Sequence, residues 1–205
     1  MIRRHHPVIS AALLVIVANL TGCLGGGTVS TPSHFYTLNV SDQTAAADPS
    51  QITVGVGPFN FPEYLDRPQI VTRRGVNGIV LAEFDRWAEP LENLFERALV
   101  SNLDGQIAGH TVMIYPFGSR LIEVPFRVIG RVLRFDVDDT GRAVLEVKWV
   151  LTTSQDQQIG AAVSSRHTAV ADLSGGYPAI VDAMSRLVTD FGDEVAEILR
   201  SRLAQ

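Results

Sequence analysis

The chain has 205 residues, of which 46% are hydrophobic and 19% are charged, and it contains a single cysteine. This length and apolar content suffice for one domain with a hydrophobic core, and they exclude a disordered chain. The 17 basic and 22 acidic residues give a formal net charge of −5. That charge disfavours a nucleic-acid partner, because phosphate binding requires a basic surface. One cysteine excludes an intrachain disulfide framework and a four-cysteine zinc site.

The N-terminal segment has the features of a bacterial lipoprotein signal. Two arginines precede an apolar run from residue 8 to residue 20, which is short for a membrane span but typical of a signal peptide. Cys23 directly follows the small residues Thr21 and Gly22, and this arrangement resembles a lipobox. The resemblance implies removal of residues 1–22 and lipidation of the Cys23 thiol, which becomes a stable membrane anchor. The alternative is a free buried cysteine after an ordinary signal.

The residues after the cysteine predict a destination and a tether. Leu24 is not the aspartate that marks inner-membrane retention in enterobacterial lipoproteins, so the outer membrane, facing the periplasm, is the expected location. Residues 23–33 are rich in glycine, serine and threonine, and we interpret them as the lipidated N-terminus and a flexible tether. Residues 34–205 form the predicted domain.

Alternating apolar residues predict strands in the first part of this domain, at 34–40, 52–56, 70–73 and 79–84. The second strand is expected to end at Gly57-Pro58, and the last two to form a hairpin around the turn at 75–78. Apolar residues at three- and four-residue spacing predict a helix over 88–107, with Pro90 in its first turn. A short strand at 111–115 follows, and this order of strand, helix and strand suggests a right-handed parallel crossover.

In the second part of the domain, the apolar pattern predicts three longer strands, at 126–137, 143–153 and 159–171, and a C-terminal helix over 178–203. The third strand is rich in small residues, which suggests close packing under a helix. The fold class predicted from these elements is α/β. It is a single domain with a mixed β-sheet of about six to seven strands packed against two main α-helices.

The sequence contains no convincing catalytic or ligand-binding motif. The G-x-G at 55–57 is followed by a proline and no helix, so it does not match a dinucleotide fingerprint. A calcium loop beginning at Asp136 would require glutamate where Val147 stands. Ser164, Ser165 and His167 are too close along one strand to act as nucleophile and base, and no G-x-S-x-G motif is present. We therefore expect a non-enzymatic protein with no metal and no cofactor.

The segment 58–74, PFNFPEYLDRPQIVTRR, combines aromatic, proline and charged residues where an ordinary loop would be more uniformly polar. Its prolines restrict the backbone, and several of its residues are large and apolar. Such a segment either folds onto the core or is held ready for a partner, and its composition does not separate these two interpretations.

Two stretches of the chain carry a family resemblance. The first runs from Pro62 to Arg73 and contains YLDRPQIV, and the second is RWAEPL at 86–91. In this order, with the lipobox and the FYTL pattern at 35–38, they resemble the PqiC-type family of auxiliary lipoproteins of ABC-linked membrane transport systems. The resemblance spans nearly the whole mature chain. The candidate partner-binding or family-motif residues are Pro62, Tyr64, Leu65, Asp66, Arg67, Pro68, Gln69, Trp87, Pro90 and Leu91.

The resemblance implies a non-enzymatic, outer-membrane subunit of an intermembrane lipid-transport system. Its expected partners are an MCE-domain protein that crosses the periplasm and a permease-like subunit, and a homo-oligomer is expected because MCE assemblies are ring-shaped. One alternative is an assembly factor for another envelope machine, such as one for surface polysaccharide or secretion. The other is a periplasmic enzyme, which would require a cleft that brings Asp136, Asp138 and His167 together.

Overall fold

The computed structural model describes residues 31–39, 52–104, 106–107, 110–116 and 124–203. Cys23, the predicted signal peptide, most of the tether and the loop at 41–50 lie outside these ranges, so lipidation and cleavage stay predictions. The described residues from Ser33 onward belong to one compact unit.

The described residues form eight strands and two α-helices. In chain order these are β1 His34–Tyr36, β2 Ile52–Asn60, β3 Gln69–Arg74, β4 Gly78–Trp87, α1 Leu91–Asp104, β5 His110–Ile114, β6 Phe126–Val137, β7 Arg142–Thr153, β8 Gln158–Val170 and α2 Gly176–Leu203. The predicted α/β class is confirmed, with one mixed sheet and two helices. The sheet has eight strands rather than the predicted six or seven.

Strand β6 organises the sheet. One of its edges pairs with β7 in antiparallel register, and β7 in turn pairs with β8. Its other edge pairs in parallel with β2 near Phe126 and with β3 at Val137, so the sheet divides into two branches on this side. One branch continues from β2 to β5, and the other continues from β3 through β4 to β1. The predicted parallel crossover from the strand before α1 was wrong. Strand β5 pairs in parallel with β2, and it runs antiparallel to β4 because the β3–β4 hairpin reverses the chain before α1 begins.

The prediction that β2 ends at Gly57-Pro58 was wrong. The strand continues to Asn60, and its pairing with β6 shifts register between Val56 and Phe59. Gly57 has a φ of 105° at this irregularity, a conformation that a residue without a Cβ adopts readily. The strand therefore bulges around the Gly-Pro pair instead of stopping, and it places Phe59 in the core, where the side chain is 0% exposed.

Two further expectations required adjustment. Helix α1 begins at Leu91 rather than 88, and the Pro90 carbonyl accepts the Leu94 amide at 3.2 Å, so Pro90 precedes the first turn. Most of the small residues of β8 do not pack under a helix: Ala161, Ala162 and Ser164 are exposed. Strand β8 lies at an edge of the sheet and is covered on one face only, so its outward side chains remain in solvent.

An aromatic cluster joins both helices to the sheet. The ring of Phe95 on α1 lies 5.3 Å from Phe59, 5.4 Å from Phe61, 5.8 Å from Phe135 and 6.1 Å from Phe191, measured between centroids. Most of these pairs meet edge to face, the arrangement that the aromatic quadrupole favours. Phe95 therefore stands at the point where α1, α2, β2 and β6 converge, directly beneath the loop that follows β2.

Candidate interaction surface

The loop over residues 61–68 connects β2 to β3 and contains most of the first motif. The Leu65 amide donates to the Pro62 carbonyl at 2.9 Å, which closes a turn within the loop. The Trp87 amide donates to the Pro68 carbonyl at 2.7 Å, which ties the loop to the end of β4. The first motif and the start of the second are thus held together by backbone hydrogen bonds.

The apolar motif residues face inwards. Leu65, Trp87 and Leu91 are buried members of the main core. Tyr64 is half-buried and packs against the same core. These four side chains support the loop, and a partner approaching from solvent reaches them only at their edges.

The remaining motif residues are accessible. Asp66, Pro68 and Pro90 are exposed, and Pro62, Arg67 and Gln69 are partly exposed. The segment therefore combines both interpretations left open by its composition: its large apolar side chains fold onto the core, while its prolines and charged residues face solvent.

The two motifs meet around one small cavity of about 150 Å³. We call the residues that line it the two-motif surface; they are Asn60, Phe61, Glu63, Leu65, Asp66, Pro90, Leu91 and Glu92. The first motif contributes Leu65 and Asp66, and the second contributes Pro90 and Leu91. Residues about 25 positions apart in sequence become neighbours because the β3–β4 hairpin returns the chain to its starting edge.

The two-motif surface is acidic. Glu63, Asp66 and Glu92 contribute carboxylates around an apolar floor. Partial burial, and secondarily the charge of Asp66, raise the pKa of Glu92 above its ordinary value. Because like charges crowd here, a partner that brings a basic side chain would relieve the repulsion.

One turn along α1, Glu96 lies beneath this surface. Its carboxylate is buried and accepts the Phe59 amide at 2.8 Å. Burial raises the pKa of Glu96 to about 7; the Phe59 hydrogen bond opposes this shift, and Glu92 adds to it. The protein therefore holds a protonated carboxyl at the base of the motif loop at mildly acidic pH.

Substituting Glu96→Gln is expected to change the pH dependence of stability. Between pH 4.5 and 7 the folded protein holds a proton on Glu96 that the unfolded chain has released, so its free energy of unfolding falls as pH rises. The amide removes this dependence and should make the variant more stable than the parent by roughly 2 kcal/mol at pH 8. Denaturant titrations at pH 5 and pH 8 measure this. An unchanged pH slope in the variant would refute the assignment.

A buried carboxylate fixes the other side of the motif loop. Asp136 on β6 is 0% exposed and accepts hydrogen bonds from Arg73 Nε at 2.7 Å and Arg134 Nε at 2.8 Å. The Tyr64 hydroxyl donates to the same carboxylate at 3.3 Å. Burial, followed by the charge of Asp136, raises the pKa of Tyr64. Asp136 therefore connects the loop to the central strand of the sheet.

The residues that an enzymatic interpretation would need are engaged separately. The Asp136 carboxylate binds two arginines, and the Asp138 carboxylate accepts amides of its own turn. His167 contacts Glu194 at 2.9 Å, and the Ser165 hydroxyl donates to that same carboxylate at 2.7 Å. Ser165 and His167 thus share a partner instead of forming a nucleophile–base pair with each other, and they attach β8 to α2.

Within the described ranges, no group of three or more histidine, cysteine, aspartate or glutamate side chains is arranged to hold a metal ion. Among the helices that the structure describes, none is both long and apolar enough to cross a membrane.

Sequence reasoning named Asp66 but missed the other two acidic residues of the surface. Glu63 lies within the first motif and Glu92 directly follows the second, but neither stood out from other charged residues. Glu96 carried a signal, because it lies on the buried side of α1. A charged residue at a position where the period demands an apolar one indicates a buried, partnered group. Asp136 carried no such signal, because alternation places it on the face opposite Phe135 and Val137, where a polar residue is expected.

The fold and this surface define a single-domain α/β protein in which two sequence motifs form one acidic, partly apolar patch. A family model described as "ABC-type transport auxiliary lipoprotein component" matches residues 36–196. The chain belongs to this family, and the match confirms the resemblance carried by the two motifs.

Individual relatives agree with this assignment. The intermembrane transport lipoprotein PqiC of Escherichia coli K12 is 27% identical over 134 residues, which cover 64% of this chain and 68% of that protein. PqiC of Shigella flexneri matches equally. A crystal structure of an uncharacterized protein superposes with a TM-score of 0.68 at 22% identity, covering 82% of this chain and 99% of its own. Protein XCC0632 of Xanthomonas campestris gives 0.63 at 22% identity, with coverages of 80% and 93%, and both structures share the fold.

Proposed function

We propose that the protein is the outer-membrane lipoprotein subunit of an ABC/MCE-type intermembrane lipid transport system. In this proposal Cys23 is lipidated and anchors the chain in the outer membrane, facing the periplasm. The domain docks the periplasm-spanning MCE protein, whose permease-like companion lies in the inner membrane, and several copies assemble to match a ring-shaped partner. The subunit contributes binding and not catalysis, and it supports envelope integrity.

The observation that carries this proposal is the convergence of both family motifs on one surface. Core packing alone would explain the buried leucines and the tryptophan, but it does not explain why Asp66, Pro68 and Pro90 are solvent-exposed within the same motifs. Conformationally restricted prolines beside exposed charge provide a rigid contact site that loses little entropy on binding. Family membership and the relationship to PqiC support transport as the process it serves.

The partner surface that fits the two-motif surface carries basic side chains. Three carboxylates surround the cavity, and the pKa of Glu92 is raised above its ordinary value. An arginine or lysine of the partner would offset the crowded negative charge and should increase the association rate. A complex formed in this way weakens as salt concentration rises.

Replacing Asp66 with arginine is expected to reduce recovery of the MCE protein by about tenfold or more, because it places like charge against a basic partner. The measurement is affinity capture of the tagged protein after mild crosslinking in intact cells, with quantification by mass spectrometry. Because Asp66 is exposed, the melting temperature should stay close to that of the parent.

Asp190→Arg provides the matched control, since Asp190 is also an exposed aspartate and lies on α2 outside the two-motif surface. The control should capture the MCE protein at the parental level. Equal loss in both variants would indicate a general charge effect and contradict docking at this surface. Recovery of a different envelope machine, with no MCE protein, would favour the assembly-factor alternative and refute the transport role.

A further inference from the structure

The face of the sheet opposite the helices carries two cations directly across from one another. Lys148 on β7 pairs in register with Arg131 on β6, and both side chains are exposed. They alternate with core residues such as Val147 and Val132, so both project away from the helical layer. Lys148 is also the only lysine in the sequence.

Neither charge forms an ion pair with a described residue. Nearby arginines have carboxylate partners: Arg166 lies 3.3 Å from Glu146, and Arg134 lies 2.8 Å from Asp136. Lys148 and Arg131 have no such partner in the part of the chain that the structure describes. Like charges directly opposite on adjacent strands repel each other and destabilise the pair. In a chain with a net charge of −5, such a pair indicates a site for an external anion.

An open cavity of about 310 Å³ lies at the pair. The residues that line it are Pro58, Asn60, Ile129, Gly130, Arg131, Lys148, Trp149, Val150 and Ala162. Most are apolar, and Ile129 and Val150 are half-buried neighbours of the two cations. The volume falls at the lower end of the range for small-molecule sites, which is roughly 300–1,000 Å³. The ligand implied by this lining is anionic at one end and apolar at the other.

We propose that this cavity binds the phosphate-bearing headgroup of an anionic phospholipid. Lys148 and Arg131 contact the phosphate, and the apolar lining receives the glycerol and first methylenes. An acidic peptide fits less well, because β6 and β7 are hydrogen-bonded on both edges beside the cavity and offer no edge for an added strand. The choice of a lipid over another amphiphilic anion rests on the proposed transport role.

The single lysine allows a direct test on the full chain. The protein is purified from membranes in neutral detergent and reconstituted in nanodiscs of phosphatidylcholine alone, or of phosphatidylcholine with one quarter phosphatidylglycerol. Acetylation of Lys148 by an amine-reactive ester is then followed by peptide mass spectrometry. A bound phosphate shields the amine and favours its charged form, so the rate should fall about fivefold in the anionic discs. Arg131→Gln should restore the rate to within about twofold of that in neutral discs.

A matched control separates a specific site from the general field of an anionic membrane. Arg142→Lys introduces a second lysine on the same strand and face, about 20 Å away along β7. Its acetylation rate should differ little between the two disc compositions. Equal slowing at both positions would show a surface-potential effect and overturn the proposal. Arg131→Gln should not lower the melting temperature, since it removes a repulsion, so a lost signal cannot be ascribed to unfolding.

Two further arms identify the ligand. Inorganic phosphate added to neutral discs should leave the Lys148 rate unchanged; full protection by phosphate alone would show a simple anion site and overturn the lipid assignment. Protection that requires added MCE protein, and is absent with anionic lipid alone, would replace the lipid with a protein partner. The MCE capture experiment varies Asp66, whereas the acetylation experiment follows Lys148 and varies Arg131. A negative result in one of them can therefore be interpreted independently of the other.

Discussion

Replacing Phe95 with alanine should lower the free energy of unfolding by about 4 kcal/mol. The Phe95 ring is 0% exposed and lies within 6.1 Å of four other phenylalanine rings, which belong to α2, the sheet and the loop after β2. Truncation removes buried apolar surface and edge-to-face contacts and leaves a cavity. The helices and strands around this cavity are held by their other contacts, so they cannot move in to fill it. Urea denaturation followed by circular dichroism measures the change.

Phe35→Ala is the control for this substitution. Phe35 lies in β1 and is 65% exposed, so the same chemical change there should cost less than about 1 kcal/mol. If both alanine variants lost similar stability, the cluster around Phe95 would not be the centre of the core. A cost below about 2 kcal/mol at Phe95 would show that the helices can close around the missing ring.

Replacing Asp136 with asparagine should cost about 3 kcal/mol, although the two side chains have nearly the same shape. The carboxylate neutralises Arg73 and Arg134, which are each 22% exposed, and its removal leaves two partly buried guanidinium groups without their ion-pair partner. The variant should also loosen the motif loop, because Tyr64 loses a charged acceptor. Hydrogen exchange at the Leu65 amide, together with the urea midpoint, reports the two effects.

Asp190→Asn makes the same change at an exposed position of α2 and should leave both measurements within experimental error. A loss below about 1 kcal/mol in Asp136→Asn would mean that water solvates the arginines and that the carboxylate is not essential to the fold. Faster exchange at Leu65 without a change in global stability would assign Asp136 a purely local role in holding the loop.

The regular elements could be read from the sequence because their signals are local. The long strands β6 to β8 were predicted within one residue of their observed bounds, since each alternates over at least ten residues between turn signals. The bounds of α1 were less accurate. The apolar period alone does not mark where a helix starts. Helix α1 starts at Leu91 because the Pro90 carbonyl accepts the first hydrogen bond of the helix, from the Leu94 amide. The course of β2 was missed because a bulge at Gly57 becomes favourable only when β6 is present to pair on both sides of it.

By itself the sequence determined the family, the α/β class and the two motif segments, because these depend on residue types at short spacing; the Cys23 anchor stays a prediction. Only the tertiary structure decided which motif residues are buried, that the two motifs share one cavity, and that Lys148 faces Arg131. The physical reason is that burial and charge neutralisation depend on neighbours distant in the chain. Asp136 has the same local sequence whether or not Arg73 reaches it, and the β3–β4 hairpin and the central strand bring those groups together.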